Sequence, residues 1–461
     1  MNIVVVGAGP GGYVAALKAA QLGAMVTVVE RSEVGGTCLN RGCIPTKSLV
    51  ASAEALAKAR RLGEFGIDAS GDFRPNIASI LDRKNKIVET QRKGIRALFK
   101  NAGITLIEGR ACLQGPRTIR VDKPDGSQIS LGADRIILAT GSRPAALPLF
   151  PFDSEIILSS DDAVDLKELS SSFIIIGAGV IGCEFACILR EFGCEVTILE
   201  ALPRALSTED AEIAEILEKE FRKKKIKLLT GVVVESVSRK ETGVAVTLKG
   251  DKEIVAEKLL VSVGRALNTE GLGVETLGVA VGPRGQIAVN EKMETTIPGI
   301  YAIGDVTGGM LLAHVASKQG MIAASNACGV DALMDYRVVP AGIFTLPEIG
   351  SVGLREHQVK NQGIPYRIGR FAVRGLGKAH AIGEISGLMK VLAHAETDAL
   401  LGVHIIGPHA TDLIHEGAAA MQAGMTARAL AAMIHAHPTL AEGVMEAAED
   451  VHGAAIHNPG K

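Results

Sequence analysis

Cys38 and Cys43, in the stretch GGTCLNRGCIPTKS that runs from Gly35 to Ser48, are the residues with the clearest capacity for chemistry. Two neighbouring thiols can store an electron pair as a disulfide, and the thiolate is the form that attacks another sulfur. On an undistorted helix, residues five apart have Cα atoms roughly 8.7 Å apart, beyond the about 4.4–6.8 Å that a disulfide accepts. The bond therefore needs a backbone that leaves ideal helix, and Gly35, Gly36 and Gly42 permit it. Pro45 suits a first helical turn, so both cysteines should lie near a helix N-terminus whose partial positive charge favours thiolate. Taken alone, the spacing fits two buried, inert cysteines as well. A second constellation reads His435-Ala436-His437-Pro438-Thr439-Leu440-Ala441-Glu442. Glu442 stands close enough to accept from one imidazole nitrogen of His437, which would set its tautomer and raise its basicity. Taken alone, His437 fits an ordinary surface residue too. No metal is expected, because His-x-His on an irregular segment brings no third and fourth ligand.

The elements that must position these groups begin at the first residues. Ile3–Val6 is an apolar strand leading into Gly7-Ala8-Gly9-Pro10-Gly11-Gly12, a helix, and the strand MVTVVE ending at Glu30. In such a unit Gly7 allows the tight turn, Gly9 lets backbone approach a pyrophosphate, Gly12 allows close helix packing, and Glu30 accepts from a ribose hydroxyl. The cysteines follow at once, so they should lie beside whatever nucleotide this unit holds. Two helices are expected within 51–100, then strands, with Ala139-Thr140-Gly141 ending a buried one. After Pro144, Pro148 and Pro151 the opening repeats: FIII, Gly177-Ala178-Gly179-Val180-Ile181-Gly182, a helix, and EVTILE ending at Glu200. In both copies the acid lies 23 residues after the first glycine, so two dinucleotides are expected. Glu200 favours the free 2′-hydroxyl of NAD over the 2′-phosphate of NADP, with Arg204 the residue that leaves NADP open. Asp305, at a strand end in TIPGIYAIGDVTGG, would hold a cofactor hydroxyl or else cap a turn. The residues after it show no further glycine fingerprint, and their Ala-rich helices suit either a subunit interface or a core.

Composition narrows the classes. A chain of 461 residues suggests two to four domains. Its net charge of −2 and its lack of Trp argue against nucleic acid or an anionic membrane surface as partner. No run of apolar residues is long enough to span a bilayer, and a cytoplasmic location is expected. Seven cysteines, an odd number, read as one redox pair and five core residues rather than a disulfide scaffold.

The whole chain resembles the flavoproteins of the pyridine nucleotide-disulfide oxidoreductase family, and among them the dihydrolipoamide dehydrogenases. GGTCLNRGCIPTKS resembles their redox-active signature, GAGVIGCE their NAD loop, IYAIGDVTGGMLLAH their second FAD motif and HAHPTLAE their C-terminal base. The resemblance implies an α/β fold with two Rossmann-like domains. They are an FAD domain (1–146) and an NAD domain (147–267), followed by a central segment returning to the first (268–340) and a C-terminal α+β dimerisation domain (341–461). It implies FAD held by Gly7, Gly9, Gly12, Glu30, Gly109, Thr140, Gly141, Ser142, Asp305 and Leu311, Leu312, Ala313 and His314. NAD would lie against Gly177, Gly179, Val180, Ile181, Gly182, Glu200, Val232 and Gly264. Lys47 would sit near the flavin and pair with Glu184. Cys38 would exchange with the substrate, Cys43 would face the flavin as charge-transfer thiolate, and His437, oriented by Glu442, would come from the other subunit of a homodimer. The implied reaction oxidises dihydrolipoamide, carried on lipoyl-bearing partners of 2-oxo acid dehydrogenase or glycine cleavage complexes, and reduces NAD. Ala441 departs from the Ser usual there, and no C-terminal cysteine pair is present. An NADPH-dependent disulfide reductase and a redox-inert assembly module are the competing readings, and Glu200 with the intact cysteines and base counts against them.

Overall fold

The computed structural model describes residues 1–458. Strand Asn2–Val6 shows how the first unit forms. Its β-branched run favours extended chain, and Ile3, Val4, Val5 and Val6 are each at most 4% exposed. Burial of each stabilises the sheet by about 1.5–3 kcal/mol. A strand apolar on both faces belongs in the middle of a parallel sheet, and this one is central, with strands 300–302, 135–138, 2–6, 25–30 and 105–108 side by side. A charge at Val5 would break it.

Strand Ser172–Ile176 holds the same central place in a second five-stranded parallel sheet, of order 227–229, 195–199, 172–176, 258–261 and 157–158. Each sheet carries a three-stranded antiparallel meander, at 110–132 and 234–256. The chain leaves the first unit and re-enters it through an antiparallel pair, Ser142–Pro144 with Arg265–Leu267. It then adds strand Ile300–Ala302 to the first sheet and packs helix Ala313–Ala327 on helix Pro10–Gln21. The last part is a five-stranded antiparallel sheet of order 341–343, 348–353, 400–407, 388–394 and 366–372, covered by helices Ala410–Gln422 and Glu442–Asp450. The expected α/β architecture of two nucleotide-binding units with an α+β C-terminal unit is therefore present. Among the described residues no helix is long and apolar enough to cross a membrane.

A buried ion cluster fixes the second unit against the C-terminal sheet. Lys390, on strand Leu388–His394, is fully buried and donates to Asp210 (3.0 Å to each oxygen), Glu212 (2.8 Å) and Glu356 (2.7 Å). Arg370 forks onto Glu212 at 2.6 and 2.7 Å, and Lys360 reaches Glu356 at 2.7 Å. Hydrogen bonds from Arg370 and Lys390 hold the Glu212 carboxyl down at about 2. Burial opposes ionisation of Glu356, but bonds from Lys360 and Lys390 outweigh it and hold that group at about 2 also.

Candidate active site

Helix Gly36–Arg41 ends at Gly42, whose dihedrals are −130° and −112°, and helix Cys43–Ala59 starts at the next residue. The sequence needed a departure from ideal helix between the cysteines, and this break provides it. Cys43 opens the second helix, where unpaired N–H groups and the helix dipole favour negative charge. The thiol of Cys38 donates to Cys43, and that bond, helped by Lys47, lowers Cys43 to about 7 against the opposing effect of burial. The same bond, with burial, pushes Cys38 far above the usual thiol range. Deprotonation of the reduced pair is thus directed to Cys43, whose open surface faces a cavity of about 1120 Å³.

Lys47 lies one turn along from Cys43, on the same helix face. Its ammonium donates to both oxygens of Glu184 at 2.8 and 2.9 Å. Glu184 belongs to helix Val180–Glu191 of the second unit, and its side chain is 4% exposed. Val180 and Ile181, at the start of that helix, line the same cavity. Gly109, Thr140, Gly141, Ser142, Asp305 and Leu311 to His314 line it too. Asp305 accepts a short hydrogen bond from the Ser142 hydroxyl, which in turn accepts from Arg265 Nε at 2.7 Å. Thr140 and Asn268 lock the adjoining backbone by reciprocal bonds of 2.8 and 2.9 Å.

The two glycine loops are built alike. Ala8 and Ser32 N–H donate to the two oxygens of Glu30 at 2.7 and 2.9 Å, while Ala178 and Leu202 N–H donate to those of Glu200 at 2.6 and 2.8 Å. A Cβ on Gly12 would lie 1.9 Å from Gly7 O, and one on Gly182 would lie 2.0 Å from Gly177 O, so only glycine allows helix and strand to approach this closely. Gly7, Gly9 and Glu30 line the cavity; Gly177, Gly179, Gly182, Glu200, Val232 and Gly264 lie outside it, around the second loop. Arg204 spends its guanidinium on the carbonyls of Leu206, Ser207 and Glu209 at 3.4, 2.9 and 2.9 Å, so it is not free for a 2′-phosphate.

His437 lies away from all of this. Its side chain is 76% exposed and its Nδ1 donates to Glu442 Oε1 at 2.9 Å, while Thr439 N–H donates to Oε2 at 2.9 Å. Burial opposes ionisation of Glu442, yet these bonds hold its carboxyl below the usual range. Nε2 of His437 has no hydrogen-bond partner among the described residues. Neighbouring His435 is otherwise engaged, by Glu416 at 2.6 Å and Met433 O at 3.0 Å. Neither His437 nor Glu442 lines the cavity of its own chain.

The sequence model described as "Pyridine nucleotide-disulphide oxidoreductase" matches residues 1–320, and that of the family's dimerisation domain matches residues 339–448. The chain belongs to the pyridine nucleotide-disulphide oxidoreductase family. Among its relatives, the dihydrolipoyl dehydrogenase of Chlamydia muridarum is 42% identical over 460 residues, covering 99% of this chain and 98% of the relative. That of Bacillus subtilis is 41% identical over 470 residues, covering 99% of each. The crystal structure of LpdA from Mycobacterium tuberculosis matches with a TM-score of 0.91 at 31% identity, covering 97% of this chain and 99% of that one. The HOCl-induced flavoprotein disulfide reductase RclA from Escherichia coli matches with a TM-score of 0.87 at 27% identity, covering 97% and 99%.

Pyridine nucleotide-disulphide oxidoreductases of this kind use FAD and NAD, and the C-terminal unit of this member is the family's dimerisation domain. The residues present fit FAD. The cavity exceeds the usual 300–1,000 Å³ of small-ligand sites, it starts at a glycine cradle that a Cβ would fill, and it reaches Cys43 and Lys47. Sequence reasoning passed over Phe344, Arg265 as a partner of Ser142, and Asn268. None of these sits in a local motif, and each acts on a residue more than 100 positions away.

Proposed function

We propose that this protein oxidises protein-bound dihydrolipoamide to lipoamide and reduces NAD to NADH, as a cytoplasmic homodimer serving 2-oxo acid dehydrogenase or glycine cleavage complexes. The observation that carries the reading is the Cys38–Cys43 pair at a helix break, opening onto a cavity that begins at the Glu30 loop. The full-length likeness to dihydrolipoyl dehydrogenases supports the substrate. The chain divides at 146/147, 267/268 and 340/341 into FAD, NAD, central and interface segments.

In the oxidised protein Cys38 and Cys43 form a disulfide. A substrate thiolate attacks Cys38 Sγ, making a mixed disulfide and releasing Cys43 as thiolate; the second substrate thiol then attacks the mixed bond, closing lipoamide and releasing Cys38. His437 of a second copy takes the proton of the first substrate thiol through Nε2, passes it to solvent and then takes that of the second, with Glu442 holding the tautomer. The hydrogen bond from the Cys38 thiol, with the positive charges of Lys47 and the helix N-terminus, lowers Cys43 to about 7, so its thiolate is well populated near neutral pH. Bound FAD supplies two-electron transfer between the reduced pair and NAD. Thr140, Ser142 and Asp305 would hold that cofactor, and Glu200 would receive the NAD ribose.

The test is a steady-state assay with NAD or NADP beside dihydrolipoamide or glutathione. Rapid NADH formation from dihydrolipoamide, with little activity for NADP or glutathione, is expected. NADPH-dependent glutathione reduction in its place, or a colourless protein as isolated, overturns the reading.

A further inference from the structure

Three segments of the chain meet at the Lys47 ammonium, and the third belongs to the C-terminal unit. Phe344 follows strand Ala341–Ile343 and faces the cavity. The centre of its ring lies 4.4 Å from Lys47 Nζ, well within cation–π range. Its backbone N–H donates to Glu184 Oε1 at 2.9 Å, and two residues on Leu346 N–H donates to Cys187 Sγ at 3.4 Å. Both acceptors sit on one face of helix Val180–Glu191. The 344–346 loop is therefore fixed to that helix by main-chain bonds that any non-proline side chain retains. Only the contact between ring and ammonium depends on Phe344 being aromatic.

We propose that Phe344 is a positioning residue of the redox centre: its ring holds the Lys47 ammonium in place beside Cys43. With Glu184 on one side and the ring on another, Nζ is held between an anion and a π face, one turn from the sulfur whose negative charge it favours. Cys43 also faces Cys38 from helix Gly36–Arg41 and Glu184 from helix Val180–Glu191, and Tyr13 bears on Cys38 from helix Pro10–Gln21. Of these, Lys47 is the one cation. Without the ring, Lys47 keeps its Glu184 bonds but has more freedom to swing toward water, and its field at Cys43 weakens. This deepens the function proposed above and rests on its assignment of the Cys pair as redox centre.

The test uses the flavin-loaded, two-electron-reduced protein with Phe344→Leu, Phe344→Met and Phe344→Tyr. The Cys43 thiolate is titrated by its long-wavelength absorbance beside flavin, and kcat and KM for dihydrolipoamide are measured alongside. Leu and Met keep apolar volume and the 344 N–H, so a packing role alone would leave the titration unmoved. The expected result is a midpoint raised by roughly half to one unit in Leu and Met. A fall in kcat of roughly 3- to 10-fold with little change in KM accompanies it, and Tyr restores both. Leu and Met midpoints equal to wild type, or Tyr behaving like Leu, overturn the proposal. If wild type fails to reduce NAD with dihydrolipoamide or any other dithiol, the function reading fails, while the thiolate titration still decides the role of Phe344.

Discussion

Replacing Lys390 by Met should loosen the second nucleotide-binding unit from the C-terminal sheet, and the cost can be worked from the cluster. Lys390 is 0% exposed and faces three carboxylates. After the change Glu212 still has Arg370 and Glu356 still has Lys360, both toward solvent. Asp210, 1% exposed, keeps only backbone donors, Glu212 N–H at 3.1 Å and Glu356 N–H at 3.3 Å. Removing one partner of a buried ion pair costs about 3–5 kcal/mol. For the two units it joins, together about 240 residues, that is a fall in Tm of roughly 6–10 °C. The assay is calorimetry of the flavin-loaded protein, with the double variant Lys390→Met/Asp210→Asn, which removes the stranded charge and should recover more than half of the loss. The pH dependence has a defined sign. Glu212 and Glu356 are depressed to about 2, so the stabilisation from their ionisation is present above the unfolded carboxylate pKa and fades as pH falls through about 2. The gap between wild type and Lys390→Met should therefore narrow in acid. A fall under about 2 °C, or a double variant weaker than the single, refutes the reasoning.

Two further outcomes follow. Homodimers of Cys38→Ser and of His437→Gln should each be inactive, and subunit exchange between them should restore about a quarter of wild-type turnover, because half the dimers then carry one intact site of two; a site complete within one chain would give no recovery. Glu200→Ala should narrow the NAD-over-NADP ratio of kcat/KM by roughly 10-fold or more, whereas Arg204→Ala should leave that ratio unchanged, since its donors already satisfy three carbonyls.

Legibility in the sequence followed the locality of each feature. Both glycine loops and their terminal glutamates could be read because one turn and one strand contain the whole device. The cysteine pair was readable as a demand for a break in helix, and Gly42 stands at that break. His437 and Glu442 were readable as a pair because they stand only five positions apart. Phe344 carried no signal, since its two contacts reach Glu184 and Lys47, in other parts of the fold. Lys390 reads as one more polar residue in LMKVLAH, and only the packing of strand 388–394 against Asp210 shows that it is buried. Arg204 is the converse case: sequence alone left it available to a phosphate, while the fold turns it onto its own loop.

The carboxylate braces at Glu30 and Glu200 are near copies, down to which main-chain amides they receive. A scaffold present twice cannot itself tell FAD from NAD. Selectivity must therefore be written on the margins, where one copy abuts Gly36 and the cysteine helix and the other ends in exposed Leu202. The molecule thus contains its own reference standard: matched substitutions in the twin loops strain the backbone alike, and whatever differs between them belongs to the ligand.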